Sequence, residues 1–149
     1  MTLLQRKINT SLIPKWVPIV LLVVAIIGFA DATYLTVEHF QNVIPPCTIG
    51  GCETVLTSQY SSVAGIPVSL FGAVYYLVMA ILLIVFLDAK KELAIRSSSL
   101  LSILGGIASI YFIILMVFVI KEFCQYCALS ALTSLTLFAF SVYILKKHE

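Results

Sequence analysis

Four cysteines are the residues of this chain best suited to chemistry. They fall into two pairs of different spacing, Cys47 with Cys52 and Cys124 with Cys127. Cys124-Gln125-Tyr126-Cys127 is a C-x-x-C motif ahead of a long apolar segment, so it opens a helix. Positions i and i+3 of a helix share a face and can close a small disulfide. The unpaired N–H groups at a helix start stabilise a thiolate and lower a cysteine's pKa, which makes such a disulfide easy to reverse. Phe123, Tyr126 and the apolar helix beyond favour a reaction partner that lives in lipid. The first pair encloses Thr48-Ile49-Gly50-Gly51 and follows Pro45-Pro46. The prolines stiffen the approach, while the glycines let the backbone turn and stay mobile. Glu53–Ser58 reads as a short helix with Cys52 at its start. A mobile pair on an exposed loop suits electron exchange with a soluble protein.

Other chemistries find no residues. His39 and His148 are the only histidines and fall on opposite sides of the topology derived below, so no Cys–His cluster forms. There is no Ser–His–Asp set, no glycine-rich phosphate loop and no pair of hydrolase carboxylates. Zinc sites also use C-x-x-C spacing, but an exported loop is a poor place for one, so no metal is expected. The bland alternative is a pair of static disulfides that staple the loops of a non-catalytic protein.

The elements that must position these thiols follow from composition. The chain has 149 residues, 61% of them apolar and 11% charged, against about 45–50% and 25% in soluble domains. That excludes a soluble globular enzyme. A net charge of +2 is too small for a protein that tracks nucleic-acid phosphates. Apolar runs of roughly 18 or more residues read as membrane-spanning helices. Four occur, at about 16–37, 66–87, 100–120 and 127–145. The expected fold is all-α: one integral membrane four-helix bundle over 1–149, with a long first loop at about Glu38–Gly65.

Basic residues set the orientation. Arg6, Lys7, Lys15, Lys90, Lys91, Arg96, Lys146 and Lys147 all fall on one side of a four-span chain, leaving only Lys121 on the other. Both termini are therefore expected in the cytoplasm, with all four cysteines on the extracytoplasmic face, where disulfides persist. The first segment also imitates a cleavable signal peptide ending at Ala30-Asp31-Ala32. Apolar character resumes at Tyr34, Leu35 and Val37, which favours a retained span.

The arrangement resembles the vitamin K epoxide reductase family in its compact prokaryotic form. The resemblance rests on Cys47, on Cys52-Glu-Thr-Val-Leu-Thr-Ser58, on Gly65-Ile-Pro-Val-Ser69-Leu-Phe-Gly72 and on Phe123-Cys-Gln-Tyr-Cys127. The separated pair precedes the C-x-x-C, whereas quinone-linked thiol oxidases of the DsbB type carry the C-x-x-C in the first external loop. The resemblance implies a helical bundle around a quinone of the ubiquinone, menaquinone or vitamin K type. It implies that Cys127 adjoins the quinone, with Cys124 its exchange partner. Cys52 would then pass electrons to Cys124, and Cys47 would be attacked by a reduced thioredoxin-like protein of the DsbA kind. Many prokaryotic members carry that domain fused; since this sequence ends at Glu149, a separate redox partner is expected. The implied activity is quinone-dependent thiol–disulfide oxidoreduction in support of disulfide formation, with reduction of vitamin K quinone or epoxide as the alternative.

Ser58 matches a loop Ser/Thr that lies near the quinone in the family. Phe71, Tyr75, Phe123 and Tyr126 are the foremost aromatic candidates for lining its pocket, with Tyr76, Tyr111 and Phe112 behind them. Asp31 reads as a solvated or hydrogen-bonded structural acid near the outer end of its span. Gly72, Gly105, Gly106, Ser109, Ser130 and Ser134 read as small packing residues.

Overall fold

A computed structural model of the protein describes residues 13–147. Arg6, Lys7 and His148 lie outside the described residues. A backbone in lipid must satisfy its own polar groups, which forces the apolar segments into helices. Four helices are long and apolar enough to cross a membrane. They are α1 (Trp16–Gln41), α3 (Val68–Ala89), α4 (Glu92–Ile114, prolonged by a π-helical stretch Leu115–Ile120) and α5 (Gln125–Lys147). The first connection carries a short helix α2 (Cys52–Leu56) and a hairpin of β1 (Ser62–Val63) and β2 (Ile66–Pro67). The expected all-α membrane bundle is the observed fold.

Alternation of the spans puts the first connection and the start of α5 at one end. The Lys90-Lys91 turn lies at the other, together with Lys15, Arg96 and Lys146. Several boundaries differ from the hydropathy reading. Helix α1 continues to Gln41, because Glu38 and His39 are tolerated in a helix that is leaving the apolar layer. It stops at Asn42, which adopts a left-handed conformation with φ 54°. Helix α3 starts at Val68, since Ile66 and Pro67 belong to the hairpin. The hairpin turns through Ala64 and Gly65, both at positive φ, as a two-residue turn of this twist requires. Left-handed Lys90 ends α3, so α4 begins at Glu92, well ahead of Leu100, and Arg96 is helical.

Packing follows helix periodicity. Tyr76, Met79, Leu83 and Phe86 of α3 are buried against Val17, Leu21, Ala25 and Ala32 of α1. The Tyr76 ring occupies the space a side chain at Gly28 would need, so this glycine is what brings α1 and α3 together. On α4, Ser98, Ser99 and Ser102 are buried. Their hydroxyls donate to carbonyls of their own helix at 2.7–2.9 Å, which lets polar residues pack inside the bundle without foreign partners. Large apolar side chains such as Val23, Ile81 and Ile107 point outward, as they do in a protein whose solvent is lipid.

Candidate functional site

The two cysteine pairs meet at one end of the bundle, where the first connection approaches the start of α5. Cys52 opens α2, with Glu53 in its first turn, as the sequence reading expects. Cys47 and Cys52 are joined in a disulfide with a Cα–Cα separation of 6.0 Å, while Cys124 and Cys127 are free thiols. Among the described residues no cluster of three or more metal-ligating side chains forms. Cys52 and Cys124 are each 0% exposed and share one buried apolar cluster with Val55 and Met116. Cys47 and Cys127 are partly buried at the edges of that cluster.

Gly51 explains how the loop comes so close. Its φ of +96° is left-handed, and a Cβ there would stand 2.7 Å from Glu122 Oε2 and 2.9 Å from the Phe123 carbonyl oxygen. Gly50, by contrast, has open space around it. The glycine pair thus permits a close approach at Gly51 as well as a turn. Two long-range hydrogen bonds fasten the same contact. The Thr48 hydroxyl donates to Gln125 Oε1 at 2.9 Å, and the Tyr126 hydroxyl donates to the Pro46 carbonyl at 2.9 Å.

The C-x-x-C is held by local geometry instead. Cys124 precedes α5, and the Cys127 backbone N–H donates to its Sγ at 3.4 Å, the contact of a helix N-cap. The Cys124 N–H in turn donates to Met116 Sδ at 3.5 Å. The Cys124 thiol is pushed down to about 7 from an ordinary 9.0. The hydrogen bond from the Cys127 thiol is the largest cause; burial and the Asp31 carboxylate work against it. Of the two alternatives expected for Asp31, a solvated or a hydrogen-bonded structural acid, the solvated one does not hold: it is 8% exposed, and its Oδ2 has no hydrogen-bond partner.

A cavity of about 1070 Å³ opens beside Cys127. Its walls come from α1, α3, α4, the π-helical stretch and α5, and the segment from α2 to β2 lines its end nearest the cysteines. Of the expected pocket residues, Ser58, Phe71 and Tyr75 line it, as do Tyr76 and Phe112. The Ser58 hydroxyl is already engaged, donating to the Val55 carbonyl at 2.7 Å. Phe123, Tyr126 and Tyr111 are absent from the lining: Phe123 is exposed, and Tyr126 packs at a tilt against Tyr34 with ring centroids 5.6 Å apart. Five residues read from sequence as packing alone, Gly72, Gly105, Ser109, Ser130 and Ser134, face the cavity. Gly106 lies outside the lining and packs against Phe138, while Gly105 both lines the cavity and packs against Tyr75. Spacing held a signal here, because Cys127, Ser130 and Ser134 recur on one face of α5.

No curated protein matches the sequence closely enough to stand as a relative. The vitamin K epoxide reductase family model matches residues 19–142, which takes in all four cysteines and most of each span. On that match the chain belongs to the vitamin K epoxide reductase family of membrane oxidoreductases.

Proposed function

We propose that the protein is a quinone-dependent thiol–disulfide oxidoreductase that oxidises a separate thioredoxin-like protein of the DsbA kind on the extracytoplasmic face of the membrane. The observation that carries this reading is the shared burial of Cys52 and Cys124, with Cys47 and Cys127 at the two edges. A partner's thiolate attacks Cys47 and expels Cys52, and the partner's second thiol resolves the mixed disulfide. The partner leaves oxidised, and Cys47 and Cys52 leave as thiols. When Cys124 and Cys127 are disulfide-bonded, Cys52 attacks Cys124 and Cys47 completes the exchange. Two electrons then rest on the C-x-x-C. The observed state, with the loop pair bonded and the C-x-x-C reduced, corresponds to the end of that step.

The cavity residues fit a quinone: the lining is mostly apolar, Cys127 stands in its wall, and two of its lining residues, Tyr75 and Ser134, carry buried hydroxyls without a partner. A bound quinone supplies an acceptor for the two electrons and two protons of the dithiol. Cys127 would lie beside it, and Phe71, Tyr75 and Tyr76 would form its walls. Burial of Cys52 and Cys124 keeps water and stray thiols from the exchanging sulfurs. The depressed pKa of Cys124 makes that sulfur a good leaving group when Cys47 attacks Cys52 in the Cys52–Cys124 mixed disulfide, which re-forms the Cys47–Cys52 bond and releases the Cys124 thiolate. A stapled, non-catalytic protein needs both pairs bonded at rest, and the free C-x-x-C speaks against it. The test is quinone reduction by the purified protein supplied with a reduced thioredoxin-like partner. Loss of that reduction in Cys127→Ser is expected; an unchanged rate refutes the mechanism.

A further inference from the structure

Two neighbouring tyrosines on α3 differ in a way that points into the cavity. The Tyr76 hydroxyl donates to the Ser130 carbonyl at 2.6 Å and lies 2.8 Å from Thr133 Oγ1, so it is satisfied within the protein. The Tyr75 hydroxyl is buried without a hydrogen-bond partner, and so is the Ser134 hydroxyl. Both residues line the cavity, and Ser134 is 4% exposed. The two hydroxyls are neighbours across the seam between α3 and α5, close enough to interact, but they lack the distance and angle of a hydrogen bond to each other or to any other protein group. Tyr75 is also fixed in place, because its ring and hydroxyl fill the space left by the missing side chain of Gly105. Native structures rarely leave a buried hydroxyl unpaired, and two together on one cavity wall mark a place for a foreign polar atom.

Their position relative to the redox sulfur narrows that atom's identity. Cys127 and Ser134 lie on one face of α5, two turns apart, or about 10 Å along the axis. A ligand that reaches both must be apolar enough for the walls and must carry an oxygen on the edge remote from Cys127. We propose that Tyr75 and Ser134 form a hydrogen-bonding clip for the inner carbonyl oxygen of a bound quinone, fixing the ring so that its other edge faces Cys127. This rests on the quinone reading given above. Hydroxyls both donate and accept, so the same clip holds the carbonyl of the quinone and the hydroxyl of the reduced diol. Ser58, whose hydroxyl is engaged elsewhere, does not share this role.

The experiment uses the full chain in detergent with menadione as probe and its parent hydrocarbon, methylnaphthalene, as control. Equilibrium dialysis gives affinities, and infrared difference spectra give the carbonyl stretch of bound menadione. Tyr75→Phe and Ser134→Ala are each expected to weaken menadione binding about tenfold, the loss of one good hydrogen bond. Each should also move the stretch toward its value in an apolar solvent, with methylnaphthalene binding unchanged. Unchanged menadione affinity and stretch in both variants overturn the clip. A parallel loss of methylnaphthalene binding overturns it too, since the substitutions would then be deforming the cavity. If the unaltered protein binds no menadione, the quinone reading falls and takes the clip with it; if it binds while both variants bind equally well, only the clip falls.

Discussion

The two cysteine pairs reach the same end of the bundle by opposite means. The C-x-x-C is positioned by its own helix: Cys124 caps α5, and the Cys127 N–H closes the cap. The loop pair is positioned from a distance, through Gly51 pressed on Phe123 and through hydrogen bonds to Gln125 and Tyr126. Local geometry survives small disturbances, whereas placement by contacts far apart in sequence depends on each of them. The loop pair should therefore be the fragile partner, and the C-x-x-C the robust one.

The strongest way to separate the pairs is to remove one sulfur from each. Cys127→Ser and Cys47→Ser are both expected to lower steady-state quinone reduction on the order of a thousandfold or more. They should differ in a single turnover. Cys127→Ser keeps the loop disulfide and still oxidises one equivalent of reduced partner, while Cys47→Ser oxidises none. Equal behaviour in rapid-mixing measurements would erase the division of labour.

Next in size is Gly51→Ala. A left-handed φ and a Cβ driven against the Phe123 backbone should push α2 away from Cys124. Because small misplacements of reacting groups can cost about a hundredfold, exchange between the pairs should slow by roughly tenfold to a hundredfold. The matched change Gly50→Ala, in open space, should stay within about twofold. A large effect at Gly50 and none at Gly51 would mean that mobility, not close approach, is what the glycines provide. Smaller still are Thr48→Val and Tyr126→Phe. Each deletes one tether worth about 1 kcal/mol, so each should slow inter-pair exchange several-fold without altering menadione binding.

The last contrast is in protonation. Thiolate absorbance of Cys124, with the loop pair oxidised, should rise with pH around a midpoint near 7. Cys127→Ala removes the donor that stabilises the anion, so the midpoint should climb toward 9.0. Asp31→Asn removes an opposing charge, so the midpoint should fall, by less than about one unit. A midpoint that ignores Cys127 would break the account of how the C-x-x-C is poised.

Hydropathy made the four spans legible because lipid demands long uninterrupted apolar helices, and C-x-x-C announced a helix start by its neighbours. Cap positions were harder to read. Asn42 and Lys90 end their helices through a left-handed turn that an average over many residues does not register. The hairpin at Ser62–Pro67 was hidden because Ile66 and Pro67 run straight into an apolar segment. At the site, cysteine spacing exposed the sulfurs but not what surrounds them. Ser134 looks like any small packing residue until α3 places an unpaired Tyr75 hydroxyl beside it. Asp31 likewise reads as solvated or hydrogen-bonded near a span's end, and only the fold shows that it is enclosed.

The relay itself is tested most directly in a protein with only its inner sulfurs. In Cys47→Ser/Cys127→Ser, Cys52 and Cys124 remain, both fully buried in one cluster. On mild oxidation of the purified chain, mass mapping of its peptides should find Cys52 bonded to Cys124 within single molecules. Two free thiols, or bonds formed only between molecules, would contradict the proposed route from the loop to the membrane.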